Sequence, residues 1–67
     1  MTPNERKVII FLKHGTQAAL ARWTGIEEAS ISRIVTGQRV ATAEQKTILK
    51  KALEVGDEFF RNEREAL

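Results

Sequence analysis

The residues able to do chemistry are few, and their types restrict what that chemistry is. The chain has no cysteine and one histidine, His14, so thiolate metal ligation, disulfides and a nucleophile–histidine pair are all hard to build. No clustered carboxylates stand at a spacing that suggests general acid–base work. What remains is polar recognition. Glu28, Ala29, Ser32 and Arg33 recur one helical turn apart, and the interleaved Ile31, Ile34 and Val35 would turn inward. This outward set of a carboxylate, a methyl, a hydroxyl and a guanidinium is the kind of face that a recognition helix presents to the major groove.

Charge is compatible with a phosphate-facing surface. The formal net charge is +2, distributed unevenly. Between Arg6 and Leu53, nine basic residues (Arg6, Lys7, Lys13, Arg22, Arg33, Arg39, Lys46, Lys50, Lys51) stand against Glu27, Glu28 and Glu44, a balance of +6. From Glu54 onward the balance is −3. Charge alone divides evenly between a surface facing phosphates and an ordinary solvated one.

Short helices must position these groups. Thr2-Pro3-Asn4-Glu5 reads as a capping box with proline at the first helical position, followed by Val8, Ile9, Phe11 and Leu12 at helical spacing and a stop at Gly15. His14 in the last turn complements the helix dipole. The capped start at Thr2 suggests a natural N-terminus. Thr16 caps a second helix whose inward face is Leu20, Ala21 and Thr24, and Gly25 ends it. Ile26 and the acidic Glu27-Glu28 open a third helix, which runs through Ile31, Ile34 and Val35 to Gly37. Thr42 and Gln45 form a second capping box, leading into Ile48, Leu49, Ala52 and Leu53 and an end near Val55-Gly56. Asp57 is expected to cap a fifth helix carrying Phe59 and Phe60 and continuing to Glu65.

The fold class is therefore all-α, a compact bundle of about five short helices in one domain covering all 67 residues. At this size a large pocket for a small substrate is not expected, and neither a cofactor nor a metal is implied. The chain reads as a binder, not an enzyme. No apolar run is long enough to cross a membrane, so no membrane partner is expected.

Residues 16–37 carry a denser pattern. Thr16, Gln17, Leu20, Ala21, Gly25, Ile26, Ile31, Ser32, Arg33, Ile34 and Gly37 match Thr-Gln-x-x-Leu-Ala-x-x-x-Gly-Ile-x-x-x-x-Ile-Ser-Arg-Ile-x-x-Gly. In this the sequence resembles the Cro/repressor-type (XRE-like) helix-turn-helix family of phage and bacterial regulators, and the likeness continues through the next capped helix to Val55. The resemblance implies a lambda-repressor-like fold and double-stranded DNA as partner. It also implies transcriptional regulation, in the manner of a phage or prophage-type repressor, in a bacterial or phage-infected cytoplasm.

Residue by residue, the resemblance implies that Glu28, Ala29, Ser32 and Arg33 read bases, with a phosphate contact as the alternative for Arg33. Thr16, Gln17, Gln38, Arg39 and Lys13 would hold phosphates. Arg33 suits guanine O6 and N7, and Glu28 could accept from cytosine N4. The family often has Ser, Thr or Gln where this chain has Glu27 and Glu28. The pair is read first as complementing the helix dipole, with Glu27 as cap. It also motivates the alternative, a protein-interaction module such as an antirepressor or partner-docking helix-turn-helix. Trp23 is expected at the core edge beside Leu20, with packing against DNA sugar or a partner as the alternative. Of Phe59 and Phe60, one is expected to close the core and the other to join a dimer contact within residues 57–67. The dimer would sit on a palindromic site spaced by about one DNA turn, ~34 Å, and form only on DNA if its interface is small.

Overall fold

Three of the four α-helices start at a threonine whose hydroxyl accepts a backbone N–H that no helical carbonyl can reach. In the computed structural model, which describes residues 1–61, α1 spans Pro3–His14. Thr2 Oγ1 accepts from the Glu5 N–H at 3.1 Å, and Glu5 Oε1 accepts from the Thr2 N–H at 2.9 Å. Gly15, at φ +87°, turns the chain out of α1. α2 spans Gln17–Thr24, with Thr16 Oγ1 accepting from the Ala19 N–H at 3.0 Å. α3 covers Glu28–Thr36 and α4 covers Ala43–Leu53, the latter opened by the Thr42–Gln45 capping box. No strand occurs among the described residues.

The C-terminal end departs from expectation. α4 stops at Leu53, and Glu54 closes it in the left-handed conformation at φ 56°. The fifth helix is a single 3-10 turn, Asp57–Phe60; Gly56, not Asp57, stands at its cap, and its N–H donates to Glu58 Oε1 at 3.3 Å. The expected continuation through residues 62–65 lies outside the described residues.

The core is one cluster of Ile10, Leu20, Ile26, Ile31, Ile34, Val35, Ala41, Leu49, Ala52, Leu53 and Phe59. The inward faces read for α2, α3 and α4 point to the core, with Leu20, Ile31, Ile34, Val35, Leu49, Ala52 and Leu53 buried and Ala21, Thr24 and Ile48 half-buried. On α1, of the four apolar residues at helical spacing only Ile9 packs against the core. Val8, Phe11 and Leu12 are 55%, 68% and 73% exposed, whereas Ile10 and Arg6 are buried. Residues 8 to 12 are all apolar, so they cover the whole circumference of the helix and carry no phase. Arg6 decides it. Its guanidinium donates from Nε to the Phe59 carbonyl at 2.6 Å, from Nη1 to the Val35 carbonyl at 2.7 Å and from Nη2 to the Arg61 carbonyl at 2.8 Å. Val35 lies in the last turn of α3, where carbonyls lack helical donors and carry partial negative charge. The Met1 ammonium reaches the same Arg61 carbonyl at 2.8 Å.

His14 ends α1 as expected but bonds across to α4, its Nε2 donating to the Ala52 carbonyl at 2.9 Å. Lys13 pairs with Glu54 and Lys50 with Asp57. Bonding to Lys13 holds the Glu54 carboxyl below its ordinary value, and bonding to Lys50 does the same for Asp57. Glu5 is lowered by the backbone N–H and hydroxyl of Thr2.

Two outcomes follow. Arg6→Met should lower unfolding free energy by about 3 kcal/mol or more, because charge-assisted bonds are lost and buried carbonyls left unpaired. Leu12→Ser should stay within about 0.5 kcal/mol. Urea denaturation decides, and similar losses in both would refute the assignment of the two α1 faces. Carboxylates with lowered folded values contribute stability above their unfolded range and lose it as pH falls through the folded one. The melting temperature should therefore be level from neutral pH to about 5 and drop below about pH 4; a level profile through acid would contradict the pairs.

Candidate nucleic-acid interface

The site begins with a turn. Gly25 takes φ 78° and ψ 5°, a conformation open to glycine at little cost, and its N–H closes α2 on the Ala21 carbonyl at 2.8 Å. Thr24 reinforces it: its hydroxyl donates to the Leu20 carbonyl at 2.9 Å and accepts from the Ile26 N–H at 3.2 Å. Ile26 then enters the core and α3 starts two residues later. Three residues thus separate α2 from α3, with both ends of the connection bonded.

α3 divides cleanly. Ser30, Ile31, Ile34 and Val35 are buried; Glu28, Ala29, Arg33 and Thr36 are exposed, and Ser32 is half-buried between the two faces. Three of the four expected base-reading residues are thus open to solvent and the fourth is partly so. Thr36 shares the outer face and was not picked out by the sequence pattern, because it falls in the last turn beside Gly37. Its hydroxyl donates back to the Ser32 carbonyl at 3.0 Å. Glu27 occupies the cap position of α3, but its side chain makes no capping bond, contrary to expectation. Its backbone, at ψ 139°, directs the chain into the helix without help from the carboxylate.

The loop after α3 is tied to it. Gly37 adopts the left-handed conformation at φ 83°, and the N–H groups of Gln38 and Arg39 reach the Arg33 carbonyl at 2.8 and 3.2 Å. Arg39 also folds back, its Nη1 donating to Ser30 Oγ at 2.9 Å. Ser30 is buried, so this bond satisfies a hydroxyl that α3 carries inward and anchors the arginine at one nitrogen. Gln38 and Arg39 are both exposed.

The remaining expected phosphate residues divide. Gln17 is the first residue of α2 and half-buried, and Thr16 is exposed with its hydroxyl oxygen engaged by the Ala19 N–H. Lys13 is held by Glu54 and reaches a phosphate only by leaving that pair.

One phenylalanine closes the core, as expected, and the tryptophan is the aromatic whose place differs. Phe59 is buried to 1% in the core and offers no surface for a dimer contact. Phe60, half-buried and edge-on to Phe59 with centroids 5.1 Å apart, is the ring left near the surface. Trp23 is 59% exposed, not at the core edge. Leu20 and Thr24 hold the inward line of α2, so Trp23 sits at its shoulder and meets the His14 ring edge-on at 5.6 Å.

No group of metal-ligating residues gathers among the described residues. Comparison of the chain with protein-family models, with curated proteins and with solved structures finds no match.

The position of Trp23 is directly measurable. Its fluorescence should resemble that of a hydrated indole and be quenched readily by iodide in the folded protein; a blue-shifted, protected emission would place the ring in the core.

Proposed function

We propose that the protein is a sequence-specific DNA-binding regulator of the Cro/repressor type, with α2 and α3 as its helix-turn-helix and α3 as the recognition helix. The observation that carries this reading is the division of α3. Its inner face is locked in the core while Glu28, Ala29 and Arg33 stand free on the outer one. Rigid support matters because base readout needs donors held in register with base edges. Arg33 reads guanine, and Glu28 accepts from cytosine. Gln17 and Arg39 hold the flanking phosphates, with Thr16 and Gln38 beside them.

A dimer on a palindrome is the arrangement that supplies sufficient affinity, and with Phe59 in the core its contact would draw on Phe60. No helix among the described residues is long and apolar enough to cross a membrane, which agrees with a regulator acting on cytoplasmic DNA.

A second reading has specific support. Val8, Phe11 and Leu12 form an exposed apolar stripe on α1, and Glu27 and Glu28 put negative charge at the start of α3. Both features suit a protein partner better than a phosphate backbone.

Selection from random duplexes at two salt concentrations separates the readings. An enriched palindrome with affinity falling steeply in salt supports regulation; no retention at low salt supports the protein partner. On the enriched site, Arg33→Ala should relax preference at one base pair at a cost of about 1–3 kcal/mol. Gln17→Ala should weaken all sequences alike, and Arg39→Ala should reduce the salt slope by about 1. Equal losses on specific and random DNA for Arg33→Ala would remove its base-reading role.

A further inference from the structure

Between the C-terminal end of α3, the loop that follows it and the 3-10 turn lies a cleft of about 430 Å³. That is within the size range of small-ligand sites and far above the ~30 Å³ share of one water molecule. Its chemistry is divided. Arg39, Lys46 and Arg61 bring three cations to it, while Val40, Ala41 and Phe60 give it an apolar wall. Asp57 is the acid in the lining; Lys50 from α4 pairs with it, and Lys46 and Arg61 also lie near enough to stabilise its charge. No described acid forms an ion pair with Arg39, Lys46 or Arg61, so the cleft keeps a positive excess.

The cations are also partly placed in advance. Ser30 anchors Arg39 at Nη1, leaving the rest of its guanidinium fork available. Lys46 rests with its ammonium 5.8 Å from the Phe60 ring centroid. The Arg61 backbone is fixed from two sides by Arg6 and the Met1 ammonium, which limits where its side chain can start. Groups anchored before binding lose less freedom on binding, and guanidinium forks match phosphate oxygens in pairs. A bare anion would use the cations and leave the wall wet; an apolar molecule would do the reverse.

We infer that this cleft binds a free nucleotide, its phosphate held by Arg39, Lys46 and Arg61 and its base laid against Val40, Ala41 and Phe60. Where the site bears on DNA, the inference rests on the proposed function: a nucleotide holding Arg39 withdraws it from the DNA backbone, so nucleotide and operator compete.

The test uses the full chain without DNA. Isotope-labelled protein is titrated with adenosine monophosphate, adenosine, inorganic phosphate and a short random duplex at one ionic strength. Adenosine monophosphate should move the amides of Gly37, Val40, Ala41 and Phe60 saturably, and bind roughly tenfold or more tighter than adenosine or phosphate. Lys46→Gln and Arg61→Gln should each weaken it roughly tenfold with the helical circular dichroism unchanged. Phosphate matching adenosine monophosphate would overturn the inference. So would shifts produced by the duplex and not by the nucleotide, or variants that bind as well as the parent. Nucleotide binding by a protein with no affinity for any duplex would support the cleft and remove the DNA reading alone.

Discussion

Arg6 has its guanidinium inside the core, and moving such a charge out of water costs several kcal/mol unless its donors are met. Here they meet the carbonyls of Val35, Phe59 and Arg61. These acceptors belong to the end of α3 and to the 3-10 turn, so one side chain of α1 joins three parts of the chain that local bonding leaves independent. The phase of α1 follows from this. With Arg6 and Ile10 turned inward, Val8, Phe11 and Leu12 have nowhere to go but outward. The C-terminal turn follows too, since Phe59 closes the core beneath the carbonyl that Arg6 holds.

The same residue alters the electrostatics. Counted along the sequence, Arg6 belongs to the basic body; in the folded chain it contributes nothing to a surface that phosphates could touch. Lys13 and Lys50 are drawn into pairs with Glu54 and Asp57. The exposed positive charge is therefore sparser than composition suggests, and what remains includes Arg33 and Arg39 at α3 and its loop. Lys7, Arg22, Lys51 and Arg61 are exposed on other elements, so the DNA-binding proposal rests on the outer face of α3 and not on a concentration of charge. The acids at the start of α3 and the apolar stripe on α1 pull toward a protein partner, and Glu28 belongs to both readings.

Support for α3 comes from both ends. At its start, Gly25 and the two bonds of the Thr24 hydroxyl set the turn and deliver Ile26 to the core. At its end, the Gly37 turn, the loop N–H groups on the Arg33 carbonyl and Arg6 on the Val35 carbonyl hold the last turn. A helix of nine residues is marginal by itself, so this bracing is what lets it present a fixed outer face.

The sequence by itself determined the helices and most of the core. Capping boxes at Thr2 and Thr42, the cap at Thr16 and the glycines at 15, 25 and 37 act on backbone groups a few residues away, so their effect is readable locally. The inward faces of α2, α3 and α4 were legible because polar residues mark their outer sides. The candidate base-reading face was legible for the same reason. Tertiary structure decided the rest. Residues 8 to 12 are apolar all round, so only a long-range partner for Arg6 could choose the buried face, and those acceptors lie 29 to 55 residues away. Phe59 and Phe60 are adjacent and alike; which one entered the core depended on the turn that Gly56 and Arg6 set. Trp23 found His14 instead of the core, and Arg39, Lys46 and Arg61 came to one cleft from three separate elements. Contacts of that kind depend on how helices are arranged in space, which periodicity along one helix does not encode.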